Sequence, residues 1–102
     1  MITSKVFNIA FAGGSCGITM IRVGEKLTEL CKAENLTVKV KYVDLWVSDY
    51  LLPSTDLVVE MFPYFKDLDL PVVNGRPFLN PLKENDQYVN LINRIKEIVS
   101  QN

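Results

Sequence analysis

The chain opens with an apolar run that leads into a helical repeat. The run covers Lys5–Ala12 and is almost wholly apolar, which is typical of a central strand buried on both faces. After it, apolar residues recur at the spacing of an amphipathic helix, which we expect from about Thr19 to Glu34. The apolar positions of this repeat are Met20, Val23, Leu27, Leu30 and Cys31.

Three further stretches have the pattern of strands. Thr37–Val43 alternates between apolar and polar residues, which predicts a half-exposed strand at an edge of a sheet. Asp56–Met61 predicts a third strand, and Leu70–Val73 predicts a short fourth strand whose early proline favours the other edge. In the alternating strand, one face carries Val38, Val40 and Tyr42, and the other carries Thr37, Lys39 and Lys41.

The remaining segments connect and close these strands. We expect a short helix or a turn over Leu45–Ser54, ending near Pro53, and a loop at Asn74–Pro77. A final helix is predicted to begin near Asn85 or Asp86, since either side chain can cap it. Its expected inner face consists of Val89, Ile92, Ile95 and Val99.

The order of these elements predicts an α/β domain. Strands that alternate with helices favour parallel pairing and right-handed crossovers. The apolar first strand belongs inside the sheet, and the second and fourth strands belong at its edges, which predicts the strand order 2-1-3-4. We expect residues 1–102 to form one three-layer, doubly wound domain of the Rossmann-like or flavodoxin-like type. Ligands of such folds bind where the strand order reverses, which here is the loop after the first strand.

Charge and hydropathy narrow the range of partners. With 11 Lys and Arg residues against 12 Asp and Glu residues, the chain lacks the basic field that attracts nucleic acid. No apolar run has the length of a membrane span, and the N-terminal segment lacks the pattern of a secretion signal. We expect a cytoplasmic protein with no nucleic-acid partner and no direct membrane insertion. The spacing of the acidic residues does not predict a metal site, and no cofactor is expected.

The chain contains no histidine and two cysteines. The absence of histidine removes the commonest general base, metal ligand and phosphoryl-carrying side chain, so covalent chemistry would fall on another residue type. Cys31 lies on the inner stripe of the first predicted helix, which favours an inert core thiol. Cys16 lies in the glycine-rich loop.

That loop has the composition of a phosphate cradle. Glycines allow positive φ angles and a close approach of the backbone to a ligand, and amides that open a helix attract anions. The same donors would lower the pKa of the Cys16 thiol, so we predict Cys16 to be a phosphoryl acceptor. Glycines after a first strand also serve simply to form a tight turn. The predicted phosphate-binding residues around Cys16 are Gly13, Gly14, Ser15, Gly17, Ile18 and Thr19.

A second pattern involves Cys16 and Arg22. Five residues separate them, which is the spacing of the phosphate loop of tyrosine phosphatases. In that loop the cysteine ends the strand and the arginine closes the loop. The helical repeat instead places Arg22 on the helix, which favours a surface arginine and leaves a cysteine-dependent phosphatase as a remote alternative.

Three stretches carry a resemblance to a known family. They are Val23–Leu27 in the first predicted helix, Asp56–Val59 in the third strand, and Pro71–Leu79, which is the most specific. On these stretches the chain resembles, over nearly its full length, the enzyme IIB components of the bacterial sugar phosphotransferase system, especially the galactitol type.

This resemblance implies a phosphocysteine carrier. In the family, a loop cysteine takes a phosphoryl group from a histidine of a IIA partner and passes it to a sugar held by a IIC membrane transporter. The absence of histidine from this chain agrees with that division of labour. The implied acceptor here is Cys16.

The loop departs from the family pattern at one position. When Val23–Leu27 is aligned with the family's helix, the nucleophile position directly after the strand holds Gly13, and Cys16 follows three residues later. Gly14 and Thr19 keep family-like residue types. Either the loop brings Cys16 to the same point in space, or the chain is a IIB-like binding or regulatory domain without phosphotransfer.

A few residues outside the loop have two possible roles. Phe62, Tyr64 and Phe65 follow the third strand, where they either cover the core or dock a partner. Arg76 either steers an anionic phosphoryl donor or is a solvated loop arginine. Trp46 is expected to cover the short second helix.

Overall fold

The computed structural model describes residues 6–14 and 17–101. Within these ranges the chain forms a four-stranded sheet, two α-helices and one 3₁₀ turn at Arg76–Leu79. The strands are β1 (Phe7–Gly13), β2 (Val38–Asp44), β3 (Leu57–Glu60) and β4 (Val72–Asn74), and the helices are α1 (Gly17–Ala33) and α2 (Glu84–Ser100).

The sheet is parallel throughout and has the predicted order. β1 pairs with β2 on one side and with β3 on the other, and β3 pairs with β4, so the order is β2-β1-β3-β4. β1 lies inside because its residues are buried on both faces, whereas β2 is exposed at most of its positions. The α/β fold with this strand order, expected from the sequence, is confirmed.

Both helices pack against the same face of the sheet. The core on this face joins large side chains of the sheet to the inner stripes of α1 and α2. No helix in residues 6–14 or 17–101 is long and apolar enough to cross a membrane. The fully buried members of this core include Ile9, Phe11, Val23, Leu27, Cys31, Leu57, Leu91 and Ile95.

Irregular segments cover the opposite face. Of the short helix or turn expected over Leu45–Ser54, the turn is observed, at residues 45–47. Small residues of β1, Ala10 and Ala12, face this layer together with Val58 of β3. Their short side chains let the two segments that flank β3 lie close to the sheet. The residues that pack there are Val43, Leu51, Phe62, Phe65, Leu68 and Leu70.

The inner face of α2 is rotated from the predicted one. Val89 and Val99 were expected inside, but they are 57% and 43% exposed. Ile95 is fully buried, and Ile92 packs at the edge of the core, as expected. The predicted stripe through Val89 and the observed stripe through Tyr88 both fit the helical period. Tertiary contacts select the stripe with Tyr88, whose ring packs edge-on against Phe78 at 4.9 Å between centroids.

The predicted cap of α2 is also wrong. The helix begins at Glu84, and the residue before it, Lys83, makes no side-chain capping bond. Asn85 and Asp86 therefore lie inside the first turn. The acidic side chains of Glu84 and Asp86 suit that position because the amino end of a helix carries partial positive charge.

A left-handed residue follows the end of α1. Asn35 has a φ of 62°, and the amides of Asn35 and Leu36 donate to the carbonyls of Lys32 and Cys31 at 3.1 and 2.8 Å. Asparagine tolerates this conformation better than residues branched at Cβ, which clash with the backbone there. This reversal directs the chain from α1 into β2.

Substitution of Asn35 tests that role. Asn35→Gly should leave the free energy of unfolding unchanged or raise it slightly, whereas Asn35→Val should lower it by about 1–2 kcal/mol. The same change at exposed Asn93 in α2, Asn93→Val, should cost under about 0.5 kcal/mol. Urea unfolding of the three variants measures these differences, and equal costs for the two valine variants would contradict the assignment.

Candidate functional site

The carboxyl ends of the four strands meet at one edge of the sheet. Because all pairs are parallel, the last residues Gly13, Asp44, Glu60 and Asn74 lie side by side. The chain leaves β1 toward β2 on one side and later returns to β3 on the other. The strand order therefore reverses between β1 and β3, which is where ligands bind in sheets of this type.

The connection between β1 and α1 is shorter than predicted. Gly13 is the last residue of β1, opposite Asp44, and its carbonyl accepts a hydrogen bond from the amide of Leu45 at 2.9 Å. Gly14 forms a bend, and α1 already begins at Gly17, two residues before the expected start. Only residues 14–16 link the strand to the helix.

The predicted site residues therefore fall on three elements. Gly13 and Gly14 lie at the end of β1, and Gly17, Ile18 and Thr19 form the first turn of α1. Ser15 and Cys16, the predicted acceptor, lie outside the described residues. In the sequence Cys16 directly precedes the first residue of α1.

The amino end of α1 is open to solvent. Ile18 is 87% exposed, and a Cβ built on Gly17 would meet no heavy atom within 4 Å. The first amides of an α-helix have no acceptor within the helix and carry the positive end of its dipole. The amides of Gly17, Ile18 and Thr19 are thus placed where an anion could reach them.

Trp46 lies against Gly14. A Cβ built on Gly14 would lie 2.6 Å from Nε1 of Trp46 and 2.9 Å from Cε2. No described glycine has a positive φ, so the expected conformational reason for glycine here is wrong. Glycine is needed at position 14 because the indole approaches the backbone closely. Sequence reasoning missed this contact because it joins residues far apart in the chain.

A turn after β2 holds Trp46 in this place. Its amide donates to Oδ1 of Asp44 at 3.0 Å, and the amide of Val47 donates to the Asp44 carbonyl at 2.9 Å. The indole is 76% exposed. The expectation that Trp46 covers a second helix is wrong, because residues 45–47 form a turn and the ring borders the β1–α1 connection instead.

The carboxylates near this edge hold loops together. Oε1 of Glu60 accepts the amides of Tyr64 and Phe65 at 3.3 and 3.1 Å. The hydroxyl of Tyr64 donates to Asp49 at 3.2 Å, and this bond to a carboxylate raises the pKa of Tyr64. Phe62 and Phe65 pack on the core, as the covering role predicts, while Tyr64 is 41% exposed.

Arg22 points to α2 rather than to the β1–α1 connection. It lies in α1, as the periodicity predicts, and Nη1 contacts Oε2 of Glu84 at 2.6 Å. This bond raises the pKa of Arg22 and lowers that of Glu84. Burial and the nearby Glu84 raise the pKa of Tyr88, whose hydroxyl donates to the same carboxylate, to about 12. Arg22 is about 7.5 Å along the helix axis from Gly17.

Cys31 is an inert core residue, as expected. Its side chain is 0% exposed, in the core between α1 and the sheet. Burial raises the pKa of its thiol to about 11. A neutral, buried thiol is a poor nucleophile at neutral pH.

No protein-family model matches the chain, and no curated protein matches it. The resemblance to the IIB components therefore stays a prediction, carried by the stretches at Val23–Leu27, Asp56–Val59 and Pro71–Leu79.

A methyl group at position 14 tests the Trp46 contact. Gly14→Ala should push the indole outward, because the added Cβ and the ring cannot occupy the same space. Since the indole is already largely exposed, the unfolding free energy should fall by only about 1 kcal/mol. Trp46 is the one tryptophan of the chain, so its emission should shift to longer wavelength and acrylamide should quench it more strongly.

Gly17→Ala is the matched control for that change. The added Cβ meets open space, so Trp46 emission should stay at its original wavelength. The same emission spectrum for Gly14→Ala and the unmodified protein would show that the indole does not lie against Gly14.

The pair of Arg22 and Glu84 predicts a pH-dependent contribution to stability. The pKa of Glu84 is lowered from its ordinary value of 4.5 in the fold, so the pair stabilises the protein above that pH. The contribution disappears as the pH falls through the lower folded-state pKa. With Arg22 54% exposed, Glu84→Gln should cost about 0.5–1 kcal/mol at pH 7.

The pair of Arg94 and Glu97 serves as the control. It spans one helical turn, and both side chains are about half exposed, so Glu97→Gln should cost less than Glu84→Gln. Thermal unfolding at pH 7 and at pH 3 measures both effects. A cost of Glu84→Gln that is as large at pH 3 as at pH 7 would contradict the assigned origin.

Proposed function

We propose that the protein is a phosphoryl carrier of the enzyme IIB type, with Cys16 as the acceptor. The observation that carries the proposal is the place of the β1–α1 connection, at the point where the strand order reverses. Cys16 directly precedes the first residue of α1 in the sequence. A thiol beside the amino end of a helix has a lowered pKa and a larger thiolate fraction.

The chemistry consists of two displacements at phosphorus. In the first, the Cys16 thiolate attacks the phosphoryl group on a histidine of a IIA donor, so a P–S bond forms and the P–N bond breaks. In the second, a sugar hydroxyl held by a IIC transporter attacks the phosphocysteine, an O–P bond forms, and the thiolate leaves. The hydroxyl proton passes to a base of the transporter or to water, since this chain has no histidine.

The amides of Gly17, Ile18 and Thr19 suit the charge of the transferring group. They open α1 beside the connection, where positive dipole ends favour an anion. Donors that are already oriented cost no reorganisation when charge develops on the phosphoryl oxygens. Their contribution to the proposed carrier is to hold the phosphoryl group.

The second candidate is a IIB-like binding or regulatory domain that transfers no phosphoryl group. It is favoured by the end of β1, where the resemblance expects a nucleophile and the chain has Gly13 and then Gly14. The space beside Gly14 is taken by Trp46. An acceptor in this chain therefore has to act from position 16.

A phosphatase is less well supported than either. A phosphatase of this type needs the Arg22 guanidinium at the phosphate, whereas Arg22 lies within α1 and bonds to Glu84. Turnover of an aryl phosphate that depends on both Cys16 and Arg22 would restore it.

Phosphoryl transfer to the thiol is the direct test. After incubation with a phosphorylated IIA protein of the galactitol type, the intact mass should increase by one phosphoryl group. Cys16→Ser should abolish this labelling, because serine at neutral pH is a far weaker nucleophile than a thiolate. Cys31→Ser should retain it, since Cys31 is buried away from solvent.

A donor-independent readout separates the two candidates. The pH dependence of iodoacetamide alkylation should give Cys16 a pKa below the ordinary value of about 8.5, with Cys31 protected in the folded state. If the pKa of Cys16 is ordinary and no IIA donor phosphorylates the protein, the carrier is ruled out in favour of the binding domain.

A further inference from the structure

A polar groove lies between the end of β4 and the start of α2. It has a volume of ≈ 350 Å³ and does not include the β1–α1 connection. Its lining consists of Asn74, Arg76, Pro77, Asn80 and Lys83. The inference drawn from it does not depend on phosphoryl transfer by Cys16.

The side chains of this groove offer donors. Oδ1 of Asn74 accepts the amide of Arg76 at 3.0 Å, and Oδ1 of Asn80 accepts the amide of Leu82 at 2.9 Å. Each carboxamide therefore keeps its NH₂ group for another partner. The guanidinium of Arg76 and the ammonium of Lys83 are donors only.

Three backbone carbonyls around the groove already accept hydrogen bonds. The carbonyl of Asn74 accepts Nε2 of Gln87 at 2.8 Å, and that of Pro77 accepts the Asn80 amide at 3.1 Å. The carbonyl of Asn80 accepts two amides, those of Lys83 and Glu84, at 2.9 and 3.0 Å. The groove thus combines free donors with acceptors that are satisfied internally.

The two cations of the groove lack a carboxylate partner. Among residues 6–14 and 17–101, the ion pairs join Arg22 to Glu84, Arg94 to Glu97, and Lys96 to Glu34. Neither Arg76 nor Lys83 takes part in one. Glu84, the acid next to Lys83 in the chain, is bonded to Arg22 and Tyr88 on the α1 side.

The segment that carries the groove is anchored to the core. The Gly75 amide donates to the Glu60 carbonyl at 2.7 Å, and a Cβ on Gly75 would lie 2.6 Å from Sδ of Met61. Phe78 is 1% exposed. These contacts fix the backbone of the groove, and the Oδ1 bonds fix the two carboxamides, before a ligand arrives, which lowers the entropic cost of binding.

We propose that this groove binds an oxyanion, either a phosphate or a carboxylate group. Both groups present acceptor oxygens to the donors of Arg76, Lys83 and the two carboxamides. Both also carry negative charge, which can pair with the two cations. Across the sheet, Ala12 of β1 pairs with Glu60 of β3, and Glu60 pairs with Asn74 of β4. Two strand spacings therefore separate Asn74 from Ala12, a distance of about 10 Å. The groove is therefore a second anion site on the same sheet edge as the β1–α1 connection.

Titration with simple anions tests this site. Amide resonances of the ¹⁵N-labelled protein should shift saturably at Arg76, Asn80 and Lys83 when sodium phosphate replaces sodium chloride at constant ionic strength. A parallel titration with sodium acetate distinguishes the sources: saturation by acetate as well assigns a carboxylate-type site, and saturation by phosphate alone assigns a phosphoryl-type site.

Two variants locate the binding. The double variant Arg76→Gln, Lys83→Gln should raise the dissociation constant for the anion by about tenfold or more, because both charge-assisted bonds are lost. Lys39→Gln with Lys41→Gln removes the same charge from β2 and should leave the constant unchanged. Equal weakening in both double variants, linear shifts without saturation, or saturable shifts confined to Gly14 and Gly17 would overturn the proposal.

Discussion

The burial of β1 on both faces is the constraint on which the rest of the structure depends. Ile9 and Phe11 face the helices, and Phe11 contacts the rings of Tyr42 and Phe78. Ala10 and Ala12 face the other way and leave room only for closely packed irregular segments. A strand enclosed in this manner favours the interior of the sheet, and β1 does pair with β2 on one side and β3 on the other. Its carboxyl end then coincides with the reversal of strand order, which places the β1–α1 connection at the ligand-binding position of the fold.

Much of the fold could be predicted because it follows from hydrophobic period. The apolar run of β1, the repeat of α1 and the alternation of β2 are each decided within a few consecutive residues. The inner face of α2 could not be predicted in the same way, since stripes through Tyr88 and through Val89 both fit a helix. The choice between them comes from Phe78, which packs against Tyr88 and belongs to another part of the chain.

The position of the β1–α1 connection was predictable, but its surroundings were not. Glycines after an apolar strand indicate the connection, yet the role of Gly14 depends on Trp46, which lies 32 positions later in the sequence. The donor character of the groove at Asn74 and Arg76 depends on which carboxamide and carbonyl oxygens are already bonded. Such long-range contacts and hydrogen-bond partners are properties of the folded chain. The two anion sites that we propose at this edge of the sheet, at the start of α1 and beside β4, rest on such contacts.

The central claim is that Cys16 acts at the amino end of α1. The most direct measurement is the distance from Cys16 Sγ to the amide nitrogens of Gly17, Ile18 and Thr19 in a crystal structure of the reduced protein. The account predicts that the thiol faces these amides, with at least one nitrogen within the roughly 3.5–4 Å of a hydrogen bond to sulfur. A thiol turned away from all three amides, toward solvent or the core, would contradict it.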